Sequence, residues 1–136
     1  MTAVIRTIRC SMATALLAAM LGCGSEGTER YELSGTVTYD GKPVPKGFVT
    51  LTPDTSKGND GPGGGAAIVD GKYRTEAGKG IVGGPHVVRI VGYDGVPARV
   101  EGEDLPDGRS LFSPYQVSVD FPRQDSEYNF DIKKAD

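Results

Sequence analysis

Short stretches in which apolar and polar residues alternate, separated by glycine and proline, are the feature that most restricts how this chain can fold. In the first stretch, Leu33, Val37 and Tyr39 share one parity with serine and threonine between them. This is the two-residue period of a half-buried strand. An Asp-Gly pair at 40–41 then predicts a tight turn, because glycine accepts positive φ. The sequence 33–53 is therefore predicted to form a β-hairpin.

The same pattern recurs downstream and predicts about seven strands. One lies around Val49 and Leu51, and the others occupy residues 33–39, 66–69, 72–75, 86–93, 115–121 and 128–132. The strand 86–93 is expected to be central, because it is apolar on both faces except at Arg89. No segment after the N-terminus has helical spacing over two turns. The fold class predicted is all-β, a single small β-sandwich of about seven strands without a core helix.

The apolar parity of each strand also predicts which side chains face the core. Ten residues are expected to point inward: Val37, Val49, Leu51, Tyr73, Val88, Ile90, Val117, Val119, Phe130 and Ile132. A register shift of one residue would turn each set to solvent, so this list is a strict test of the predicted strands.

The N-terminus has the features of an export signal. Arg6 and Arg9 precede a short apolar run, Met12–Leu21, followed by Gly22 and Cys23. The run is too short for a stable transmembrane helix and fits a secretory signal. Its Leu-Gly-Cys ending resembles a bacterial lipobox, where the cysteine is linked to diacylglycerol and becomes the first residue of the mature protein. Cys23 is therefore the predicted lipidation site, with plain secretion and an uncleaved membrane anchor as alternatives.

This interpretation divides the chain into a signal peptide at 1–22, a flexible tether at 23–30 and a β-sandwich domain at 31–136. The protein is expected to be an exported, membrane-anchored lipoprotein of the cell envelope, on its periplasmic or surface side. Removal of the signal leaves 13 basic and 18 acidic residues, a net charge of about −5. Such a charge predicts repulsion from anionic headgroups, which leaves the lipid as the main attachment. It also argues against nucleic acid as a partner, because no basic cluster exceeds Lys133-Lys134.

Several motifs of the mature chain resemble the carboxypeptidase regulatory-like, transthyretin-like β-sandwich, and in particular small predicted lipoproteins of planctomycete-type bacteria. They are Gly35-x-Val37-x-x-Asp40-Gly41-Lys42-Pro43-Val44, Gly47-x-Val49-x-Leu51-x-Pro53, Asp70-Gly71-Lys72-Tyr73, Gly84-Pro85-His86-x-Val88-x-Ile90, Pro114-Tyr115 and Tyr128-x-Phe130-x-Ile132. The resemblance covers nearly all of the mature chain. It implies a prealbumin-like sandwich that serves as an accessory, adhesion or binding module.

His86 is the only histidine, and it is the one group whose ordinary pKa suits acid-base catalysis at neutral pH. At the start of a predicted strand it is expected to be a partly exposed structural residue. No catalytic residue and no cofactor are predicted. The alternative is a small transthyretin-like hydrolase that uses His86, which would require a pocket assembled around the imidazole.

Acidic side chains in the loops offer a weak metal hypothesis. Asp54, Asp60 and Asp70, with Asn59, are oxygen ligands of the kind calcium prefers, but their spacing differs from known calcium loops. Solvated turn acids are the expected outcome. The polar segment 94–113 is predicted to be a long excursion between strands.

These observations predict a non-enzymatic, lipid-anchored envelope module with a binding or structural role. An envelope protein or a carbohydrate is its expected partner, besides the membrane reached through Cys23. The other alternative is a docking subunit that binds another envelope protein through an unpaired edge strand.

Overall fold

The computed structural model describes residues 27–135, which form an all-β fold without an α-helix in that range. Its strands are β1 (Leu33–Tyr39), β2 (Lys42–Pro43), β3 (Lys46–Pro53), β4 (Gly64–Val69), β5 (Lys72–Arg74), β6 (Gly84–Tyr93), β7 (Ala98–Val100), β8 (Glu103–Leu105), β9 (Tyr115–Phe121), β10 (Ser126–Glu127) and β11 (Phe130–Ile132). The predicted all-β class is confirmed, and each of the seven predicted segments contains a strand. The four strands that were not predicted, β2, β7, β8 and β10, are two or three residues long.

Most strands belong to one curled, largely antiparallel sheet with the order β10-β1-β5-β4-β3-β6-β9. β6 lies between β3 and β9 and forms eight residue pairs with the first and seven with the second. It is paired along both edges, as its apolar sequence predicts. The last strands, β10 and β11, run parallel to β1 at the other end of the sheet. The curl brings the two ends together, since the rings of Phe121 and Tyr128 lie 5.5 Å apart.

The prediction that residues 33–53 form one β-hairpin is wrong. β1 turns back only onto the two-residue β2, and β3 pairs with β4 and β6 instead. The reason is the connection between the prolines: Val44 is fully buried, and its backbone amide donates to the Val37 carbonyl. The Val44 carbonyl in turn accepts from Gly71. The connection is thus held between β1 and the β4–β5 turn, and the chain crosses over rather than folding back.

The second predicted hairpin is confirmed. β4 and β5 pair at Ile68↔Tyr73 and Val69↔Lys72, around the turn residues Asp70 and Gly71. Both turn residues have positive φ, 49° and 75°, which matches the type I′ geometry that Asp-Gly favours. The turn chemistry of the sequence therefore fixes this register.

The core confirms the predicted inward parity. Eight of the ten predicted residues are buried, while Val117 and Val119 are half-buried and pack against the core from β9, at the end of the sheet. Val44 and Ile81 are fully buried although they lie in connections where no alternation identifies them. Burial of apolar side chains from every major strand on one side of the sheet is the main stabilising contribution to this fold.

The contact between β1 and the last strands depends on side chains as well as on backbone pairing. The Tyr73 hydroxyl donates to the Tyr128 carbonyl at 2.6 Å, and the Thr36 amide donates to Asn129 Oδ1 at 2.9 Å. Gly35 allows this close approach, because a Cβ there would clash with the Tyr128 carbonyl. These bonds span the interruption between β10 and β11, where regular pairing with β1 stops.

The segment 94–113 is an excursion, as predicted, but it is not irregular throughout. It contains the two-stranded sheet β7–β8. Asp94 organises its base, since its Oδ1 accepts from the amides of Val96 at 2.9 Å and Arg109 at 3.1 Å. This carboxylate is therefore structural.

Candidate functional site

His86, the one catalytic candidate, is only 1% exposed, so the expectation of a partly exposed residue is wrong. The strand begins at Gly84 rather than at His86, which places the imidazole two residues inside β6 on its inward-facing parity. It lies opposite Pro53 of β3 and Val119 of β9. Pairing on both edges of β6 thus seals it into the sheet.

The contacts of the imidazole are structural. Nδ1 lies 2.8 Å from the Gly84 carbonyl oxygen, and because a carbonyl only accepts, Nδ1 carries the hydrogen. The ring meets the edge of Phe121 at a centroid distance of 5.4 Å. Within residues 27–135 no side chain hydrogen-bonds to the ring, so no acid orients it and no hydroxyl is activated by it. His86 also lines a depression of about 240 Å³, together with Lys57, Ser118 and Asp120.

The loop that carries the calcium candidates is organised by its own hydrogen bonds. Asp54 caps a short 3₁₀ turn and accepts from the Ser56 hydroxyl at 2.5 Å and the Ser56 amide at 3.1 Å. The hydroxyl bond is the main reason that the pKa of Asp54 lies below its ordinary value. Asn59 is buried, and its amide donates to the carbonyls of Gly83 and Pro85 at 3.0 and 2.6 Å. The Asp54 side chain therefore stabilises the turn itself, and the Asn59 side chain fastens the loop to the start of β6.

The three acidic candidates do not converge. Asp54 follows the last residue of β3, whereas Asp70 follows Val69, which pairs with Lys46 at the first residue of that strand. Eight residues of extended chain separate the two ends by about 26 Å. Asp60 is exposed on the loop beside Asp54. Among the described residues, no group of three or more His, Cys, Asp or Glu side chains is placed to hold a metal ion.

The acids of the excursion are dispersed over the β7–β8 sheet. Glu101, Glu103, Asp104 and Asp107 are all exposed. Asp104 lies 3.6 Å from the Arg99 guanidinium. This ion pair is exposed to solvent and therefore contributes little to the stability of the fold. These acids form a solvated surface without a cleft between them.

Cys23, the predicted lipidation site, lies outside the described residues. Near the start of the described residues, the Arg30 guanidinium donates to the Gly63 carbonyl at 2.6 Å and the Gly80 carbonyl at 2.7 Å. Arg30, the last residue of the predicted tether, is thus bound to the domain. No helix among residues 27–135 has the length and hydropathy to cross a bilayer.

β9 presents an unpaired edge. It pairs with β6 on one side and with no other strand of the described chain. Tyr115, Val117 and Val119 point inward along it but stay half-buried, so the core is thinner beneath this edge. Such an edge offers backbone donors and acceptors to an added strand.

The outer side of the sheet carries a group of residues that the sequence analysis did not single out. Lys46 pairs with Val69 and with Tyr93, and Val69 pairs with Lys72, so these side chains form one row across four strands. Phe48 occupies the next row and is 45% exposed. We call this surface the cationic face: Lys46, Lys72, Arg74 and Arg89, with Phe48 and Val69 between them.

The charge of this face differs from that of the rest of the molecule. β3, β4, β5 and β6 together carry four basic residues and no acidic residue, although the whole chain has a net charge of −3. All four basic residues lie on the outward parity of their strands. This signal was present in the sequence, because strand parity alone separates Lys46, Phe48 and Arg89 from the core residues between them.

No family model, curated protein or solved structure matches the chain. The buried imidazole, the unpaired edge and the cationic face are therefore the features from which its function can be inferred.

Proposed function

We propose that this protein is a non-enzymatic, lipid-anchored module of the cell envelope with a binding or structural role. The observation that carries the proposal is the burial of His86 with its Nδ1 hydrogen bonded to the Gly84 carbonyl. General acid-base catalysis needs a group within hydrogen-bond reach of the substrate. The one imidazole of the chain instead hydrogen-bonds to a backbone carbonyl of its own strand.

The anchor in this proposal is Cys23. It is supported by the basic start, the short apolar run Met12–Leu21 and the Leu-Gly-Cys ending. Diacylglycerol supplies two acyl chains, which is enough for stable attachment where one chain is marginal. The mature protein would then lie on the periplasmic or surface side of the membrane to which it is attached.

We further propose that the curled sheet is a two-layer sandwich of the transthyretin-like kind. Support comes from the core, where Val37 of β1 and Ile132 of β11 join the same cluster as Val88 of β6. Those strands lie at opposite ends of the sheet order, so the sheet folds over its own apolar face. Such sandwiches serve many functions, and the fold alone names none.

A second candidate function is docking of another envelope protein by strand addition. The unpaired edge of β9 favours it, because seven residues with a half-buried inner row offer both backbone hydrogen bonds and apolar contacts. Asp120 and the flanking prolines at 114 and 122 limit unspecific pairing at such an edge. A carbohydrate ligand remains compatible with the same module.

The proposal is tested by assaying the purified lipoprotein against ester, amide and glycoside substrates. We expect background rates from the wild type and from His86→Asn, whose amide can keep the donor to the Gly84 carbonyl. Thermal melting of both proteins shows whether the variant is folded. Turnover above background that is lost in a folded His86→Asn would contradict the proposal and favour the hydrolase.

A further inference from the structure

We propose that the cationic face lies against an anionic membrane surface and holds the domain in one orientation on the bilayer. This inference rests on the proposed anchoring at Cys23 and specifies what the domain meets once it is anchored. Its chemical partner is a layer of anionic lipid headgroups.

The distribution of charge supports this partner better than the net charge does. At physiological ionic strength, charges interact over about 8 Å, so a membrane responds to the nearest face of a protein rather than to its total charge. The expected repulsion of a chain with net charge about −5 therefore does not hold for a surface without acids on its four strands. Within the described chain, Lys46, Lys72 and Arg89 take part in no ion pair.

Three acidic residues at the border of the face reduce its positive charge: Glu32 and Glu76, which form ion pairs, and Glu127, which lines the same depression as Lys72 and Arg74. Arg74 forms an exposed ion pair with Glu32 at 3.1 Å, and Lys79 pairs with Glu76. Arg74 and both members of the Lys79–Glu76 pair line the same depression as Phe48 and Arg30. That depression shares Ala67 and Arg74 with a second one along β4 and β5.

The apolar residues of the cationic face are suited to insert between the headgroups, towards the acyl chains. Phe48 is 45% exposed and Val69 is 48% exposed, and both stand among basic side chains. The Phe48 ring packs over Gly65, where a Cβ would lie 2.7 Å from it, so it is held on the outer side of the sheet. Basic groups that meet phosphates while an aromatic side chain enters the interface are the combination that binds anionic bilayers.

The position of the tether favours the membrane over a soluble polyanion. Arg30 is fixed to the Gly63 and Gly80 carbonyls at the border of the face. Six residues lie between Cys23 and Arg30, so the two Cα atoms are at most about 25 Å apart in a fully extended chain. A lipid on Cys23 thus keeps the bilayer surface within reach of the Arg30 side of the domain.

A single-tryptophan experiment tests the proposal, since the chain contains no tryptophan. The full lipoprotein carrying Phe48→Trp is reconstituted into phosphatidylcholine vesicles with brominated lipid, with or without phosphatidylglycerol. We expect strong quenching of the emission only in the anionic vesicles, with loss of quenching at high salt. Adding Lys46→Glu and Lys72→Glu should lower the equilibrium constant for docking of the face, by at least about fivefold for each lysine replaced.

The matched control is Tyr128→Trp, because Tyr128 is 38% exposed but packs against the inward-facing rings of Phe121 and Phe130. Its emission should be quenched weakly in both kinds of vesicle. Equal quenching of the two tryptophans, or equal quenching of Phe48→Trp in neutral and anionic vesicles, would overturn the proposal. A response of Phe48→Trp to a soluble uronic-acid polysaccharide, without a response to anionic vesicles, would also overturn it and assign the face to a glycan.

Whether Cys23 carries the lipid is tested separately, by mass spectrometry of the peptide that contains it. If Cys23 is unmodified, the proposed anchor is wrong, and the same variants are then added to preformed vesicles. Quenching confined to anionic vesicles would still support membrane binding by the cationic face. If Cys23 carries the lipid but Phe48→Trp is not quenched in anionic vesicles, the anchor is supported and the proposal that the cationic face binds the membrane is wrong.

Discussion

The two sides of the central strands β3, β4 and β6 are built from alternating residues of the same sequence, yet they obey different requirements. The inner side holds Val49, Ile90 and the sealed imidazole of His86, all at 1% exposure or less. The outer side holds Lys46 and Phe48, which contact solvent. Packing accounts for these three residues, because Val49 and Ile90 belong to the core cluster and the His86 ring packs against Phe121.

Folding does not require the composition of the outer side. Serine, threonine and glutamate would satisfy the same strands, whereas an exposed phenylalanine among basic residues costs solubility. The difference teaches that the inner side specifies the fold and that the outer side is where a binding function is to be sought. The predictions below test that division.

The largest effect is expected inside the core. Ile90→Ala should reduce the free energy of unfolding by about 2–5 kcal/mol, because it leaves a cavity among fully buried neighbours. Val69→Ala on the cationic face should cost about 0.5 kcal/mol or less, since nearly half of that side chain is already exposed. Denaturant melts measure both, and equal losses would show that the two sides are not distinct.

An intermediate effect is expected at Tyr73, a polar group of the inner side. Tyr73→Phe should cost about 1 kcal/mol at neutral pH, because the Tyr128 carbonyl loses its donor. The matched control is Tyr128→Phe, because the Tyr128 side chain is 38% exposed and should lose less stability. Urea melts of both variants measure the difference in their free energies of unfolding.

Tyr73 also predicts an alkaline loss of stability. Burial is the main cause that raises its pKa above the ordinary value of 10.0. Below pH 10 the folded and unfolded states both keep the proton, and above it the unfolded state loses the proton first, so stability falls as pH rises. Melts between pH 8 and 11 should show a smaller decline in Tyr73→Phe than in the wild type. An unchanged decline would mean that other groups cause it.

The smallest effect on stability is expected on the cationic face. Lys46→Ala combined with Lys72→Ala should change the free energy of unfolding by no more than about 0.5 kcal/mol, since both side chains are exposed. The same double variant should bind anionic vesicles less well in flotation assays. Loss of stability without loss of vesicle binding would show that the outer side supports the fold and does not bind the membrane.

Much of the fold follows from local sequence. Alternation locates β3, β6 and β9, and the Asp-Gly pair at 70–71 fixes the β4–β5 turn. Strand pairing does not follow, because nothing local to β1 indicates that it joins β5 and β11 rather than β3. Burial of Val44 depends on contacts that Val37 and Gly71 supply from a distance.

The candidate site divides in the same way. The outward parity of Lys46, Phe48 and Arg89 can be predicted from the sequence. Their arrangement beside Lys72 requires the register of β3, β4 and β5, which the sequence does not state. The burial of His86 does not follow from the predicted strand 86–93, because β6 begins two residues earlier, at Gly84.

The measurement that tests the account most directly is the fractionation of the wild type and Cys23→Ala from intact cells, each with and without a high-salt wash. The account predicts that the wild type stays with the membrane through the wash and that its Cys23 peptide carries the mass of diacylglycerol. Cys23→Ala should be released or misprocessed, and any fraction left on the membrane through the cationic face should dissociate in salt. Wild-type protein that is wholly soluble, with an unmodified Cys23, would contradict the account.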